Sequence, residues 1–342
     1  MIKNKYTETD LVRVSLGSAV SLGLTKSWIL TKSSTAYLLT HHENRCLGTC
    51  SFCSQGRASK SQNNMLSRII WPLFKLDIVS DRISKAEINH NIKRICIQAM
   101  NYPEAFKNSL DIIRKIKVKS NLPISLSFQP INTSQIKKLV EIIDRISIPI
   151  DATNEDIFER TKGRLIGGPY EWKKQINLLI KATKIFGKGK VTTHFIVGLG
   201  ESDSEIIKMI EWADNLGIFP SLFAFTPIKG TPLENLEQPP LPRYRVIQLA
   251  HSLITRNKMK IKNMEFDSIG RLHSFGISKA GLKKIISSGE PFRTHGCPYC
   301  DRPYYNERVV GPFYNYPKLP TEEDINLIEE QIGNYLVTGV TN

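Results

Sequence analysis

Nowhere do the 342 residues supply the roughly eighteen consecutive apolar residues that a membrane-crossing helix needs. The most apolar stretch, Ile69 to Val79, is interrupted by Pro72, Lys75 and Asp77, so a soluble chain with no membrane partner is expected. The amino terminus lacks a signal-peptide pattern, because Met1-Ile-Lys-Asn-Lys5 runs straight into polar Tyr6-Thr-Glu-Thr-Asp10. A cytoplasmic chain with reduced thiols is the expectation, and its six cysteines are not read as a disulfide framework. Internal repeats, low-complexity tracts and RNA-binding signatures are also missing, so no nucleic-acid partner is expected. Acidic residues are in deficit, 32 against 47 Lys plus Arg, for a net charge of +15. Such a surplus attracts an acidic carrier, nucleic acid or a phosphorylated cofactor, or else coats a solvated lysine-rich surface.

What is present is enough apolar material, 41%, to fill a large core. Strand-like runs at Ala36–Thr40, Arg94–Gln98, Ile124–Gln129, Ser147–Asp151, Val191–Val197, Ser221–Thr226 and Lys260–Phe266 alternate with amphipathic segments. Leu110, Ile113 and Ile116 recur at helical spacing, as do Ile136, Leu139, Val140 and Ile143, and then Ile206, Met209, Ile210 and Ala213. This order predicts an α/β fold, a complete or partial TIM-type (β/α) barrel with its chemistry at the carboxyl ends of the strands. Residues 1–33, with Val12, Leu16, Val20 and Leu24 four apart, read as a helical extension capping the barrel bottom. The barrel is assigned to residues 34–288. Residues 289–342 form a Pro- and Tyr-rich tail, expected to close the barrel top and to end in a helix over 321–337.

Three cysteines, Cys46, Cys50 and Cys53, are spaced C-x3-C-x2-C in the loop that follows the first predicted barrel strand, with Phe52 before the third. Three thiolates can hold three irons of a four-iron cluster and leave the fourth open to a small molecule. The alternative is a closed zinc site that joins Cys50-x2-Cys53 to Cys297-x2-Cys300 and leaves Cys46 idle.

C-x3-C-x-aromatic-C directly after the first strand of a β/α barrel resembles the signature of the radical S-adenosylmethionine (AdoMet) superfamily. The resemblance implies a 4Fe-4S cluster held by Cys46, Cys50 and Cys53. AdoMet would occupy its exchangeable position, and a reducing electron donor would drive cleavage to a 5′-deoxyadenosyl radical. His194-Phe-Ile-Val-Gly-Leu-Gly-Glu201 resembles the fifth-strand motif of biotin synthase and its relatives, which assigns Val197, Gly198, Gly200 and Glu201 to the adenine of AdoMet. Read without the resemblance, this segment is a strand-to-helix turn capped by Ser202 or Asp203. By the same resemblance Asp151 meets the ribose, or else caps a helix. Lys173 stands loosely where an arginine would meet the AdoMet carboxylate, and a lysine cannot pair bidentately there. Pro227 to Glu234 is similar to the sixth-strand exit of that branch.

Cys96 falls where biotin synthase keeps a ligand of its sacrificial cluster. A strand cysteine is otherwise a small apolar residue. Together with Cys297 and Cys300 it is assigned catalytic and metal-ligating roles in a second iron–sulfur cluster near the barrel top, with His295, Arg293, Thr294 or Asp301 as fourth ligand. Gly289 to Arg308 and Tyr314-Asn-Tyr-Pro317 resemble the ending of the two-component lipoyl synthase of archaea and some bacteria. This implies a sulfurtransferase that works with a second radical AdoMet subunit on an octanoylated lipoyl carrier protein. Alternatives are a biotin synthase-like reaction on a free small molecule, a carbon-skeleton rearrangement, tRNA thiomethylation, or an iron–sulfur or zinc binding protein without AdoMet turnover.

Overall fold

The computed structural model describes residues 7–338. Strands long enough to be apolar on both faces form its centre. β1 (Leu11–Val14), β2 (Thr35–Thr40), β3 (Leu73–Lys75), β4 (Arg94–Gln98), β5 (Ile124–Ser127), β6 (Arg145–Ser147), β7 (Val191–Val197) and β8 (Ile218–Ala224) make one sheet in the order β8-β7-β6-β5-β4-β2-β1-β3. Six of them, β2 and β4 to β8, are parallel neighbours. β2, Thr-Ala-Tyr-Leu-Leu-Thr, is buried at every position, as expected for a parallel strand covered on both sides. β1 and β3 add an antiparallel edge, with Val12 opposite Thr40 and Leu11 opposite Lys75.

Helices complete the crossovers. α1 (Leu16–Ser21), α2 (Leu76–Ile88), α3 (Ala105–Lys117), α4 (Thr133–Leu139), α5 (Glu155–Thr161), α6 (Trp172–Phe186), α7 (Asp203–Asn215) and α8 (Leu241–Thr255) follow in chain order. α3 buries Ile112, Ile113 and Ile116 and carries Arg114, Lys115 and Lys117 in its last turn, where cations meet the negative end of the helix dipole. α7 begins with a capping box between Ser202 and Glu205. α8 is buried from Tyr244 to Ile254, with α7 on one side and the terminal helix Glu322–Thr338 on the other.

The sheet is therefore a partial barrel: β3 and β8, its two edges, do not pair. The tail crosses the opening. Asp301 accepts hydrogen bonds from Ser33 Oγ at 2.9 Å, Ser34 N at 2.6 Å, Ser34 Oγ at 2.9 Å and Tyr37 Oη at 3.0 Å on the β2 side. Five residues on, Asn306 Nδ2 donates to Ala224 O of β8 at 2.8 Å, and Arg302 lies 3.8 Å over the Phe223 ring. The tail reaches this position from the amino ends of the strands, where Arg94 Nε meets Pro298 O at 3.0 Å and Thr35 Oγ1 meets Tyr299 O at 2.6 Å. From there it runs up the open side to the carboxyl ends, where Asn306 also meets Thr226 Oγ1 at 3.2 Å and Tyr305 faces Phe52 and Cys53 across a cavity.

Two other expectations change. Lys260–Phe266 is not a barrel strand: Ile261–Asn263 is a single 3₁₀ turn, and Glu265–Phe266 pairs antiparallel with Leu272–Ser274 in a separate ribbon. Lys260, Lys262, Asn263 and Glu265 are exposed, and a barrel strand would bury at least half of them. Among the described residues before 34, Val12 is a strand residue, fully buried with Val14 against the sheet edge, and the helical pieces are a 3₁₀ turn at Glu8–Asp10 and α1.

Replacing Asp301 with Ala removes the shared acceptor of four donors. We expect a loss of about 2–4 kcal/mol in urea unfolding and faster proteolysis within 293–309; an unchanged midpoint would remove Asp301 from the closure.

His251 of α8 is fully buried, with Nε2 2.7 Å from Pro220 O and its ring 4.1 Å from that of His295. Burial pushes its pKa down to about 4, with Arg256 adding to the effect against the Pro220 carbonyl. The unfolded chain therefore takes up this proton first, and stability falls as pH drops from about 6.5 toward 4. His251→Gln should flatten that fall by on the order of 2 kcal/mol at pH 5 relative to pH 7.5, measured by denaturant unfolding at both values.

Candidate iron–sulfur and AdoMet site

The loop after β2 is held tightly by its own backbone. Cys46 N donates to Gln55 O at 3.1 Å, Cys53 N to Cys50 O and Gly56 N to Cys53 O at 3.0 Å each, and Arg45 Nη1 to Ser54 O at 2.8 Å. Gly56 has no room for a side chain, since a Cβ there would lie 3.0 Å from Cys50 O and 3.1 Å from Cys53 O. All three thiols are largely shielded. Burial raises the pKa of each, to about 12 at Cys53, while Lys162 opposes the rise at Cys50 and Cys46. The Asn101 amide points at Cys46 Sγ from 3.2 Å and the Gly48 amide from 3.4 Å. Sulfur donors with N–H groups aimed at them, beside a buried cation, suit an iron–sulfur cluster with anionic ligands.

A 190 Å³ cavity opens beside these cysteines at the carboxyl ends of β2, β4 and β5, and Gln98, Asp151, Lys162, Tyr170 and His194 share its wall. Asp151 sits on backbone with φ of +64° and pairs through Oδ2 with Lys162 Nζ at 2.7 Å. Lys162 is 2% exposed and also donates to Pro149 O at 2.6 Å. Its ammonium lies 5.3 Å from the Tyr170 ring centre. His194 is held neutral, its pKa lowered to about 4 chiefly by burial, with Nε2 3.0 Å from Ser147 Oγ.

The second group of cysteines lies inside the barrel. Cys96 is on β4, Cys297 Sγ is 3.5 Å from Ser125 Oγ of β5, and Cys300 Sγ is 3.5 Å from Tyr37 Oη of β2. After burial, Cys297 and Cys300 are the largest influences that raise the Cys96 thiol, so the tail brings these sulfurs into electrostatic reach of one another. Cys297 and Cys300 also border a cavity at the amino end of the barrel, so this group is not near the top, where the sequence had put it. Cys50 responds to Lys162, Cys53 and Asp151 instead, and Cys53 to Cys46 and Asp151, so the four thiols of a zinc site are not gathered. Among the described residues, no three Cys, His, Asp or Glu side chains converge closely enough to hold a single metal ion.

A sequence model described as the radical SAM superfamily matches residues 41–213, half of the chain. This protein belongs to the radical SAM superfamily. Membership implies a 4Fe-4S cluster and AdoMet. A biotin synthase from Methanococcus vannielii is 25% identical over 218 residues, 62% of this chain. The match spans 61% of that relative's length. Similarity extends to the solved structure of the radical AdoMet methyltransferase TsrM from Kitasatospora setae with cobalamin and a 4Fe-4S cluster bound, at 13% identity and a TM-score of 0.39. That match covers 59% of this chain and 38% of TsrM.

Within the radical SAM frame, the other predicted contacts part company. Lys173 is exposed on the first turn of α6 and lines neither cavity beside Cys53. The buried cation beside Asp151 is Lys162, the residue that ends α5, which sequence reading did not single out. Val197 ends β7 and Gly198, Gly200 and Glu201 follow it, but none of the four lines either cavity. Glu201 is turned inward, accepting from Gly198 N at 2.8 Å and Leu199 N at 2.9 Å and pairing with Arg243 at 3.0 Å. Gly198 and Gly200 take φ of +105° and +107°, which only glycine adopts easily. These four residues shape the turn.

Of the suggested fourth ligands, Asp301 is engaged by Ser33, Ser34 and Tyr37, Arg293 pairs with Glu290 at 3.2 Å, and Thr294 Oγ1 donates to Asp301 O at 2.9 Å. His295 is buried against His251. Arg302, not singled out from the sequence, is buried beside Cys300 and donates to His295 O.

Lys162→Ala would leave Asp151 buried and unpaired, so we expect it to cost about 3–5 kcal/mol. Lys173→Ala should stay within about 0.5 kcal/mol of the parent. Equal losses in denaturant unfolding would refute the reassignment of the cation.

Proposed function

We propose that this protein inserts sulfur at unactivated carbon, as one subunit of a two-component lipoyl synthase acting on an octanoyl group bound to a carrier protein. The observation that carries this reading is the second cysteine group: Cys96, Cys297 and Cys300 share the barrel interior with the Cys46, Cys50 and Cys53 loop, and Tyr305 and Gln98 lie between them.

Cys46, Cys50 and Cys53 would hold the radical-generating cluster, and Cys96, Cys297 and Cys300 a second iron–sulfur group. Loaded, the first site supplies a hydrogen-abstracting radical from AdoMet and the second supplies sulfur. The chain itself positions and shields. Lys162 and Asp151 offer a buried cation and a carboxylate, suited to a ligand that carries both a carboxylate and hydroxyls. Phe52, Phe223, Phe225 and Tyr305 wall the adjoining 150 Å³ cavity with apolar surface, which keeps water from a reactive intermediate. His194, neutral at physiological pH, adds no charge there. The surplus of 15 positive charges favours encounter with an acidic carrier, and a second radical AdoMet subunit and a reducing electron donor complete the proposed system.

Cys297→Ala combined with Cys300→Ala tests the reading in anaerobically reconstituted protein. Iron and acid-labile sulfide should fall to about one four-iron cluster's worth. Release of 5′-deoxyadenosine should persist, and the sulfur mass gain on an octanoyl carrier peptide should vanish. Unchanged iron content refutes the second cluster. Sulfur added to a free small molecule, with the carrier peptide untouched, would favour the biotin synthase-like alternative.

A further inference from the structure

A cavity of 410 Å³ lies outside the tail segment that fills the barrel opening. It falls within the range of about 300–1,000 Å³ typical of small-molecule sites, and is larger than either cavity beside Cys53. α1 and the following residues form one wall, the turn at 68–70 a second, and tail residues 303–309 the third. Tyr305 lines both this cavity and the one that touches Phe52 and Cys53. Its ring also packs with Tyr37 and Trp71, in a cluster that Cys96 and Cys300 adjoin.

The chemistry of the walls is specific. Leu16, Ile29 and Ile69 are apolar, and the rim exposes Trp28 at 77%, Ile70 at 45% and Val309 at 38%. Large side chains left in water around one opening mark a surface that takes an apolar ligand. Two buried oxygens on the same wall, Tyr304 Oη and Glu307 Oε2, have no hydrogen-bond partner among the described residues. Glu307 is 4% exposed, and burial pushes its carboxyl up to about 7. A buried polar atom without a partner costs free energy unless a ligand supplies one. Arg68 and Arg308 stand together at the same cavity; burial and the neighbouring Arg308 both hold the Arg68 guanidinium below its ordinary range, against the pull of Glu307. Paired cations at an opening favour an anionic partner surface.

We infer that this cavity receives the acyl-lysine arm of the substrate, with the alkyl chain along Leu16, Ile29 and Ile69, the amide at Tyr304 and Glu307, and the acidic carrier domain against Arg68 and Arg308. The inference rests on the lipoyl synthase reading and adds the route by which the chain approaches the barrel interior. The amide N–H finds an acceptor in Glu307 Oε2 and the amide oxygen finds a donor in Tyr304. The end of the chain is directed toward Tyr305, the residue common to both cavities.

Gly17 provides the test. It lines the cavity within α1, and a Cβ there meets nothing within 4 Å, so Gly17→Phe fills the space without backbone strain. Binding of carrier peptides bearing Nε-octanoyl-lysine or Nε-acetyl-lysine would be followed by fluorescence anisotropy on anaerobically reconstituted protein. The parent should prefer the octanoyl peptide, and Gly17→Phe should weaken that peptide by at least about tenfold, with iron content and AdoMet affinity unchanged. Ile70→Asp, at the exposed rim, should reduce the same preference, so a misfolded Gly17→Phe would not leave the question open. Arg68→Glu with Arg308→Glu should weaken both peptides alike and flatten the salt dependence. Octanoyl binding that neither Gly17→Phe nor Ile70→Asp disturbs places the acyl chain elsewhere and overturns this inference while leaving the function standing. If the parent does not prefer the octanoyl peptide at all, both readings fail.

Discussion

An unclosed sheet is the constraint on which the rest of this structure depends. Six parallel strands make too short an arc to meet, so the polar backbone and apolar interior at the gap need another covering. The chain supplies it from its own end. One carboxylate, Asp301, gathers the donors of Ser33, Ser34 and Tyr37 on one side, and one carboxamide, Asn306, reaches Ala224 on the other. The four residues between them carry Arg302 and Tyr305 into the interior. Because Cys297 and Cys300 precede this bridge directly, the same contacts that cover the gap also bring them to Cys96.

The site at the carboxyl ends follows a different logic. Its cysteines are arranged by a local loop, while its charges come from a single buried ion pair between Asp151 and Lys162. A buried pair of this kind contributes little to net stability, yet removing one partner is costly. Its value lies in fixing a cation and a carboxylate in an otherwise apolar space. The left-handed backbone at Asp151 fits this account, since uncommon conformations persist where surrounding contacts fix them and concentrate at functional sites.

Much of this was legible in the sequence. The loop of Cys46, Cys50 and Cys53 is readable because it is set by local spacing, and the six parallel strands because each is a short apolar run between helical periods. Lys260–Phe266 misled because alternation alone does not say whether a strand joins a sheet or a small exposed ribbon. Val12 misled because apolar residues four apart satisfy helical spacing and also fall on one face of a strand. Lys173 and Lys162 differ only in where the chain carries them after α5, and no local pattern encodes the turn that buries one and leaves the other in water. Glu201 reads as a ligand contact until its two oxygens are seen to be taken by Gly198, Leu199 and Arg243. The direction from which the tail enters depends on partners more than 260 residues away.

That separation also bears on how the molecule is built. Ser33 and Asp301 are 268 residues apart, so the bridge cannot seat until the chain has been synthesised past residue 301. Until then the nascent barrel is a trough with Cys96 open to solvent along one flank. Maturation thus has a natural order: the early cysteine loop and its supporting strands can form during synthesis, whereas the interior compartment comes into being only when residues 297–306 are threaded home.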